Sequence, residues 1–576
     1  MRSAPRSLSE VEGELTAPGQ FLEMEEVEIR GIPTRIWKNA PKTLLDVFDQ
    51  SRAHGDADFL VYADGDGRDT DRVDFSTHYA LAATFATRLR EDYGVRPGDR
   101  VAIAMRNFPE WVVAFWGAAA AGAVVVPLNA WWSGEELEYG LSDSGSAVAV
   151  VDQQRLVEIT PRLGALDLRG LVVARADGAV GEADRMEDLL ADVVEARPDV
   201  SIDSDDDATI FYTSGTTGRP KGALGTHRNI TTNLFSLLWS GARTQARWEI
   251  EAAEPDPDAP QASSLLTVPL FHATGCHSYL QSATAFGSKM VMMYRWDAAR
   301  ALELIEQERI TTFGGVPSMV LQVLEHPDFG RYDTSTVANV GYGGAPAPPD
   351  IVRRIKEGFG VDVSPSNGYG LTETSSVTTQ NGGQDYVAKP DSVGPPVPVC
   401  DVRAVNDAGD EVPQGQLGEL WIKGPNVVKG YWGKPDATAE SFTDGWLHSG
   451  DIARIDEEGF VFIVDRAKDM VIRGGENVYS VQVESVLFEH PDVVEAAVFG
   501  VPHRILGEEV AAAITLSQGS TLSTDDLGAY CRERLARFEV PTVWDIRYED
   551  LPRSPQGKIL KRVLREQLAD RGEAPT

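Results

Sequence analysis

From Thr43 onward, short β-branched runs alternate with helix-length segments, and that alternation leaves few architectures open. Val101-Ala-Ile-Ala-Met reads as a strand, Pro109 to Ala121 as a helix and Ala123 to Val126 as the next strand; Val148-Ala-Val-Val and Leu171-Val-Val repeat the theme. This is the pattern of a layered α/β fold. The apolar stretch from Val112 to Leu128 is interrupted by Gly117, Gly122 and Pro127, too short for a comfortable membrane span. It reads as a buried helix, a turn at Gly122 and a strand.

After Ser392 the texture changes. Val402–Val405, Gly418–Lys423 and Phe460–Val464 are short strands between Gly, Asp and Pro turns, which indicates a smaller β-rich subdomain. Asp465-Arg-Ala-Lys-Asp is a charged break suited to an interdomain hinge. Beyond it come a helix from Val481 to Glu489, a strand from Val494 to Phe499 and a helix from Asp525 to Leu535. A last helix from Ile559 places Leu560, Leu564 and Leu568 on one face. A chain of 576 residues is too long for one core. The expected division is an N-terminal domain over 1–465 and a small mobile α+β domain over 466–576. The larger domain begins with a polar surface arm to about residue 40 and ends with the β-rich part from about 392.

The strand Ala208-Thr-Ile-Phe-Tyr leads into Tyr212-Thr-Ser-Gly-Thr-Thr-Gly-Arg-Pro-Lys-Gly222. Here the hydroxyls of Thr213, Ser214, Thr216 and Thr217 and the amides of Gly215 and Gly218 can donate to phosphate oxygens, with Arg219 and Lys221 adding charge. It is not a Walker A loop. Lys221 follows Pro220 and precedes Gly222, so the helix-opening lysine and the magnesium hydroxyl are missing, and a kinase or GTPase reading loses ground.

A net charge of −35 argues against nucleic acid and anionic membrane as partners, and admits ATP or CoA only at a site with its own cations. Cys276, Cys400 and Cys531 lie far apart without CxxC spacing, so a disulfide framework or structural zinc is not expected and a reducing cytoplasm fits. The N-terminus has no apolar core for a signal peptide. Oligomeric state is left open.

Four further motifs carry chemistry. In Asn367-Gly-Tyr-Gly-Leu-Thr-Glu-Thr374, glycines on each side of Tyr369, including Gly370, let a planar ligand lie on the ring. Thr372 and Glu373 offer the oxygen donors magnesium prefers. Gly341-Tyr-Gly-Gly-Ala-Pro-Ala347 has the small residues that let backbone meet a ligand edge-on. Asp451, in His448-Ser-Gly-Asp-Ile, follows a turn where a carboxylate can take both hydroxyls of a ribose. Lys558, in Pro552-Arg-Ser-Pro-Gln-Gly-Lys-Ile, is a cation that can bridge two anions brought together in a reaction.

The 212–222 loop closely resembles the nucleotide loop of adenylate-forming enzymes, the superfamily of acyl-CoA synthetases, nonribosomal adenylation domains and firefly luciferase. The resemblance runs from about Thr43 to Ala569, with the motifs in the family's order. It implies that the loop grips the β- and γ-phosphates of ATP and that adenine stacks on Tyr369, flanked by Gly344, Ala345 and Pro346. It implies Thr372 at the α-phosphate, Mg2+ on Glu373, Asp451 and Arg466 on the ribose, and Lys558 as the catalytic cation. Ser449 stands where many members have Thr. Lys468 matches the family hinge, and Gly474 and Gly475 would border a tunnel for the CoA arm. Gly314, Gly315, Gly341 and Gly343 would line the acyl pocket. Pro269-Leu-Phe-His272-Ala-Thr-Gly275 marks the subclass: an apolar run with His272 stands where an amino-acid-activating relative carries an aspartate.

The expected activity is therefore an acyl-CoA synthetase. A carboxylic acid attacks ATP to give acyl-AMP and pyrophosphate, and CoA then displaces AMP. The glycines and the apolar His272 segment suggest a medium or long fatty acid, or a bulky aromatic or polycyclic acid. An enzyme that hands acyl-AMP to another protein or carrier, an oxidative luciferase-like relative and a non-enzymatic ATP binder stay open as alternatives.

Overall fold

The computed structural model describes residues 5–63, 70–213, 219–251, 259–343, 350–554 and 558–571. Of the sequence candidates, Ser214, Gly215, Thr216, Thr217, Gly218, Gly344, Ala345 and Pro346 lie outside them.

The expected alternation is realised as two large sheets. The first runs Lys221–Thr226, Asp207–Thr213, Val124–Pro127, Arg100–Ala104, Val148–Asp152, Gly170–Ala174, Asp184–Arg185. It is parallel except for Lys221–Thr226, which turns back on Asp207–Thr213. Every residue of Val148–Asp152 is buried, so both faces of this sheet are covered, and the strands read as continuous apolar runs. The second runs Thr379–Gly382, Ser364–Tyr369, Asn339–Gly343, Thr312–Gly315, Ser263–Leu266, Lys289–Met293, Asp58–Ala63, Thr70–Asp74. Only its two outermost pairs are antiparallel.

Beyond Glu110 in its first turn, the helix Pro109–Ala120 is apolar on every side and buried, as such a helix must be. It ends just before Gly122, whose φ of 83° makes the turn into Val124–Pro127. Gly117 lets it approach the helix Phe75–Glu91, since a Cβ there would stand 2.8 Å from the Phe85 ring. Phe48 stacks between Tyr79 and Trp116, at centroid distances of 4.4 and 5.4 Å. Among the described residues, no helix is long and apolar enough to cross a membrane.

Residues 5–40 are folded rather than an arm on the surface. A helix, Leu8–Leu15, packs on the helix His227–Arg247, and a hairpin follows over Met24–Ile29 and Ile32–Trp37. Val11, Leu22 and Trp37 are buried, and the Trp37 indole donates to Ser236 Oγ at 3.1 Å. These apolar residues are few and irregularly spaced, so no periodicity announces them.

A five-stranded antiparallel sheet follows, built from Asp401–Val405, Gly418–Lys423, Phe442–Thr443, Trp446–Ile455 and Val461–Arg466. The tail forms another, with Gly507–Leu516 between Val471–Arg473 and Val493–His503 and parallel to Val543–Arg547. Helices Ser480–Phe488, Thr524–Arg532 and Lys561–Asp570 complete this α+β unit. The last helix begins later than its leucine spacing suggested. Leu564 and Leu568 are wholly buried, but Leu560 is the N-cap, with ψ 78°, and stands partly exposed.

Candidate active site

Thr213 and Lys221 form the last rung of the hairpin Asp207–Thr213/Lys221–Thr226, so the ladder fixes both ends of the hydroxyl-rich loop. Thr213 Oγ1 donates to the Lys221 carbonyl at 3.3 Å. Tyr139 braces the loop's far end, its hydroxyl donating to the Pro220 carbonyl at 2.9 Å and its ring lying 5.0 Å from the Arg219 guanidinium.

Lys221 Nζ lies 4.2 Å from the centroid of the Tyr431 ring, and the Tyr431 hydroxyl donates to Glu373 Oε1 at 2.8 Å. One aromatic side chain therefore spans the loop's cation and the candidate magnesium ligand. Sequence reasoning missed Tyr431; the only signal is Gly430-Tyr-Trp. Backbone bonds from Leu224 to Gly430 at 2.9 Å and from Trp432 to Gly222 at 2.7 Å lock that tripeptide onto the phosphate strand. Arg30 secures the segment just before it, donating to the carbonyls of Val427 and Val428. Thr372 and Glu373 share a single turn of 3₁₀ helix, Thr372–Thr374. Glu373 Oε2 takes no hydrogen bond from the described residues, which leaves it to a cation. Among those residues no group of three or more His, Cys, Asp or Glu is placed to hold a metal ion. A single carboxylate suits magnesium, which takes its other ligands from phosphates and water.

Asp451 and Arg466 face each other across the pair Trp446–Ile455/Val461–Arg466 and form an ion pair at 3.0 Å. Tyr369, at the end of Ser364–Tyr369, donates its hydroxyl to the other oxygen of Asp451 at 2.5 Å. Burial, then the Asp451 charge, push the Tyr369 phenol far up, so it remains a donor. Asp451 is buried, yet each carboxylate oxygen keeps a second lone pair for a ligand hydroxyl.

Lys558 converges on this group from the tail. Its ammonium is pulled down to about 8, first by burial, then by Arg466; Asp451 opposes, Lys468 lowers it further and Glu373 opposes. The local cations that an acidic chain needs for ATP are thus gathered here. Lys468 is itself lowered by burial and by Arg466. His272 is driven down to about 3, first by burial and then by the Lys558 charge, so it stays neutral. The Thr274 N–H donates to its Nδ1 at 3.2 Å, which leaves the proton on Nε2.

What aims Lys558 is also new. Three residues on, Lys561 Nζ binds Glu484 at 2.8 Å and Ser480 Oγ at 2.9 Å, and Ser480 donates through both N–H and Oγ to Asp465. This buried chain ties the end of Val461–Arg466 to the start of the last helix. Its members lie up to 96 positions apart (Asp465 to Lys561), and none is unusual by itself.

Some candidate glycines have another reason. A Cβ on Gly370 would stand 1.4 Å from the Ser376 carbonyl oxygen, so the chain's own backbone, not a ligand, demands glycine there. Gly370→Ala is expected to cost at least ~3 kcal/mol, because backbone cannot swing aside; the denaturation midpoint measures it, and an unchanged midpoint contradicts the close approach. Gly314 and Gly343 likewise meet neighbouring-strand carbonyls, those of Gly341 and Gly368, at 2.0 and 2.7 Å. Gly315 has φ 152°, with Thr267 Oγ1 2.6 Å from a Cβ position, and Gly341 faces Ser366 Oγ. Gly474 and Gly475 occupy an exposed turn with φ 62° and 91°.

Two family models match the chain: AMP-binding enzyme over residues 47–432 and AMP-binding enzyme C-terminal domain over 482–558. A feruloyl-CoA synthase of Amycolatopsis sp. is 37% identical over 476 residues, covering 82% of this chain and 90% of the relative. The long-chain-fatty-acid–CoA ligase FadD13 of Mycobacterium tuberculosis is 36% identical over 498 residues, covering 86% and 93%. The structure of ATP-bound MatB from Rhodopseudomonas palustris superposes with a TM-score of 0.78 at 31% identity, covering 91% of this chain and 99% of that one.

Proposed function

This chain belongs to the family of AMP-binding enzymes, as an AMP-forming acid–CoA ligase, and we propose that Lys558, Glu373, Asp451 and the 213–221 loop carry its first half-reaction. ATP lies with its β- and γ-phosphates in the loop and against Lys221, its adenine along Tyr369 and its ribose hydroxyls on Asp451. A carboxylate oxygen of the acid attacks the α-phosphorus; that bond forms as the bond to the bridging oxygen breaks, and pyrophosphate leaves. Magnesium on Glu373 would draw charge from the phosphate oxygens. Lys558 bridges acid and α-phosphate, relieving the repulsion between two anions. Neutral His272, with its proton on Nε2, borders the acid without adding charge.

In the second half-reaction the CoA sulfur attacks the acyl carbon, AMP departs and the thiol proton passes to solvent. We assign the change of conformation between the two steps to rotation about Lys468, which carries Lys558 out and brings Gly474 and Gly475 in. The small domain is taken as 466–576, and the compartment as the cytoplasm.

The observation that carries this reading is the meeting of Lys558 with Arg466, Asp451, Lys468 and Glu373, from positions far apart in the chain. It gives a pH signature. The charged ammonium is the useful form, and with a pKa of about 8 it is lost as pH rises through that value. kcat/KM for ATP, which reports the free enzyme, is expected to fall about tenfold per pH unit above that point. Thioester formation from added acyl-AMP has no such limb. An adenylation rate flat to pH 10 contradicts the assignment.

A further inference from the structure

Ser375 and Ser376, directly after the turn that carries Thr372 and Glu373, hold a backbone that serine avoids. Ser375 has φ 52° and Ser376 φ 108°. Five other described residues with a Cβ have positive φ, all between 49° and 53° and none beside another. Ser376 is therefore the outlier among them, and these two the one adjacent pair. A Cβ disfavours this region through its clash with the neighbouring carbonyl. The Ser375 Oγ is buried and makes no hydrogen bond among the described residues, so that side chain does not stabilise the conformation.

The strained pair is held from outside. Burial keeps His277 at about 4, so the ring is neutral, and its Nδ1 donates to the Ser375 carbonyl at 3.1 Å. Beside it, Ser278 Oγ and Ser376 Oγ bond at 2.6 Å. Asn233, wholly buried on the helix His227–Arg247, donates to the His277 carbonyl at 2.9 Å and accepts from the Val377 N–H at 3.1 Å. One amide thus clamps the π-helix Thr274–Leu280 to the chain leaving the strained pair. The His277 ring also meets Phe211 edge-on at 4.8 Å, on the strand that leads into the hydroxyl-rich loop.

What fixes the serines fixes Glu373. The N–H groups of Ser375 and Ser376 donate to the carbonyls of Thr372 and Leu371 at 3.1 and 3.2 Å, and Thr374 Oγ1 donates to the Ser376 carbonyl at 3.1 Å. Relaxation at Ser375 would turn the short helix Thr372–Thr374 at its C-terminal end and carry the Glu373 carboxylate with it. A π-helix packed on a strained pair is costly, and such costs cluster at ligand clamps, where the surrounding structure maintains them.

We infer that His277 and Asn233 are positioning residues, which hold Ser375–Ser376 in strain so that Glu373 stands set for magnesium before ATP arrives. This rests on the assignment of magnesium to Glu373 proposed above. Both residues act through the turn, from behind the carboxylate.

The test is calorimetric titration of the full chain with ATP, once with magnesium and once with EDTA, with no acid present. It compares the parent with His277→Phe, His277→Asn and Ser375→Gly. His277→Phe keeps a ring against Phe211 and loses the Nδ1 donor, whereas His277→Asn returns a donor at similar reach. His277→Phe is expected to weaken magnesium–ATP binding by about tenfold, as loss of a bond behind a metal ligand does, with binding in EDTA within about threefold of the parent. His277→Asn is expected to recover most of that loss. Ser375→Gly removes an unbonded hydroxyl and a strained φ, so its melting temperature is expected to hold or rise, yet magnesium–ATP binding to weaken severalfold. Parent-like magnesium–ATP binding in both His277→Phe and Ser375→Gly, or equal loss with magnesium and with EDTA, overturns the inference while the ligase reading stands. If His277→Phe does not fold, Ser375→Gly decides alone. No ATP binding by the parent, with or without magnesium, overturns the ligase reading and this inference with it.

Discussion

Lys558→Ala is expected to slow formation of acyl-AMP by about a hundredfold or more, while thioester formation from preformed acyl-AMP stays within a few-fold of the parent. The asymmetry follows from where the charge is needed. In the proposed first step a carboxylate approaches an α-phosphate, and the Lys558 ammonium would be the cation brought in from the tail to meet them. In the second step a thiol meets an acyl-adenylate, a step for which the proposal asks no charge of Lys558. The loss of a positioned charge inside a site shielded from water is large because water cannot replace it. Stability should not fall: Lys558 is held below its ordinary ionisation by burial beside Arg466 and Lys468, so removing it relieves repulsion among three cations. Rapid-quench measurement of each half-reaction separates the two effects. Equal loss in both steps would show that Lys558 acts by holding the fold.

Glu373→Gln is expected to lower adenylation by a similar factor of about a hundred, with a rise in the magnesium concentration needed for half-maximal rate. The substitution keeps the shape of the side chain and leaves an amide oxygen to accept from Tyr431. With that oxygen facing Tyr431, the free Oε2 becomes an amide nitrogen, and a hard divalent cation would lose its protein carboxylate. Titration of the rate with magnesium is the check. A reduced rate with an unchanged magnesium requirement would place the effect in the Tyr431–Lys221 contact instead, and Tyr431→Phe, which keeps the ring under Lys221 while removing the hydroxyl, would then reproduce it.

The strand and helix pattern was legible because buried parallel strands such as Val148–Asp152 run apolar up to their last residue, Asp152. The candidate nucleotide residues stood out in the sequence because glycines, hydroxyls and charges fall within short contiguous motifs. What stayed hidden was assembled across the chain. Tyr431 acts on Glu373 from 58 positions away, and the Asp465–Ser480–Lys561–Glu484 chain joins three elements whose residues are ordinary singly. The N-terminal hairpin hid because Trp37 is buried against Ser236 and Trp239 of a distant helix, not by a periodic face of its own. Gly370 and Gly314 were read as room for a ligand, whereas carbonyls of neighbouring strands and turns fill the space beside them. Sequence shows that a Cβ is missing, and only packing shows what stands in its place.

The central claim is that one site joins a carboxylic acid to AMP before a thiol is needed. Acid-dependent exchange of labelled pyrophosphate into ATP tests it most directly, run across a panel of fatty and aryl acids with CoA first absent and then present. Exchange is expected with a suitable acid alone, with acyl-CoA and AMP appearing once CoA is added. Binding of ATP with no acid-dependent exchange, or exchange that never leads to a thioester, would contradict the account.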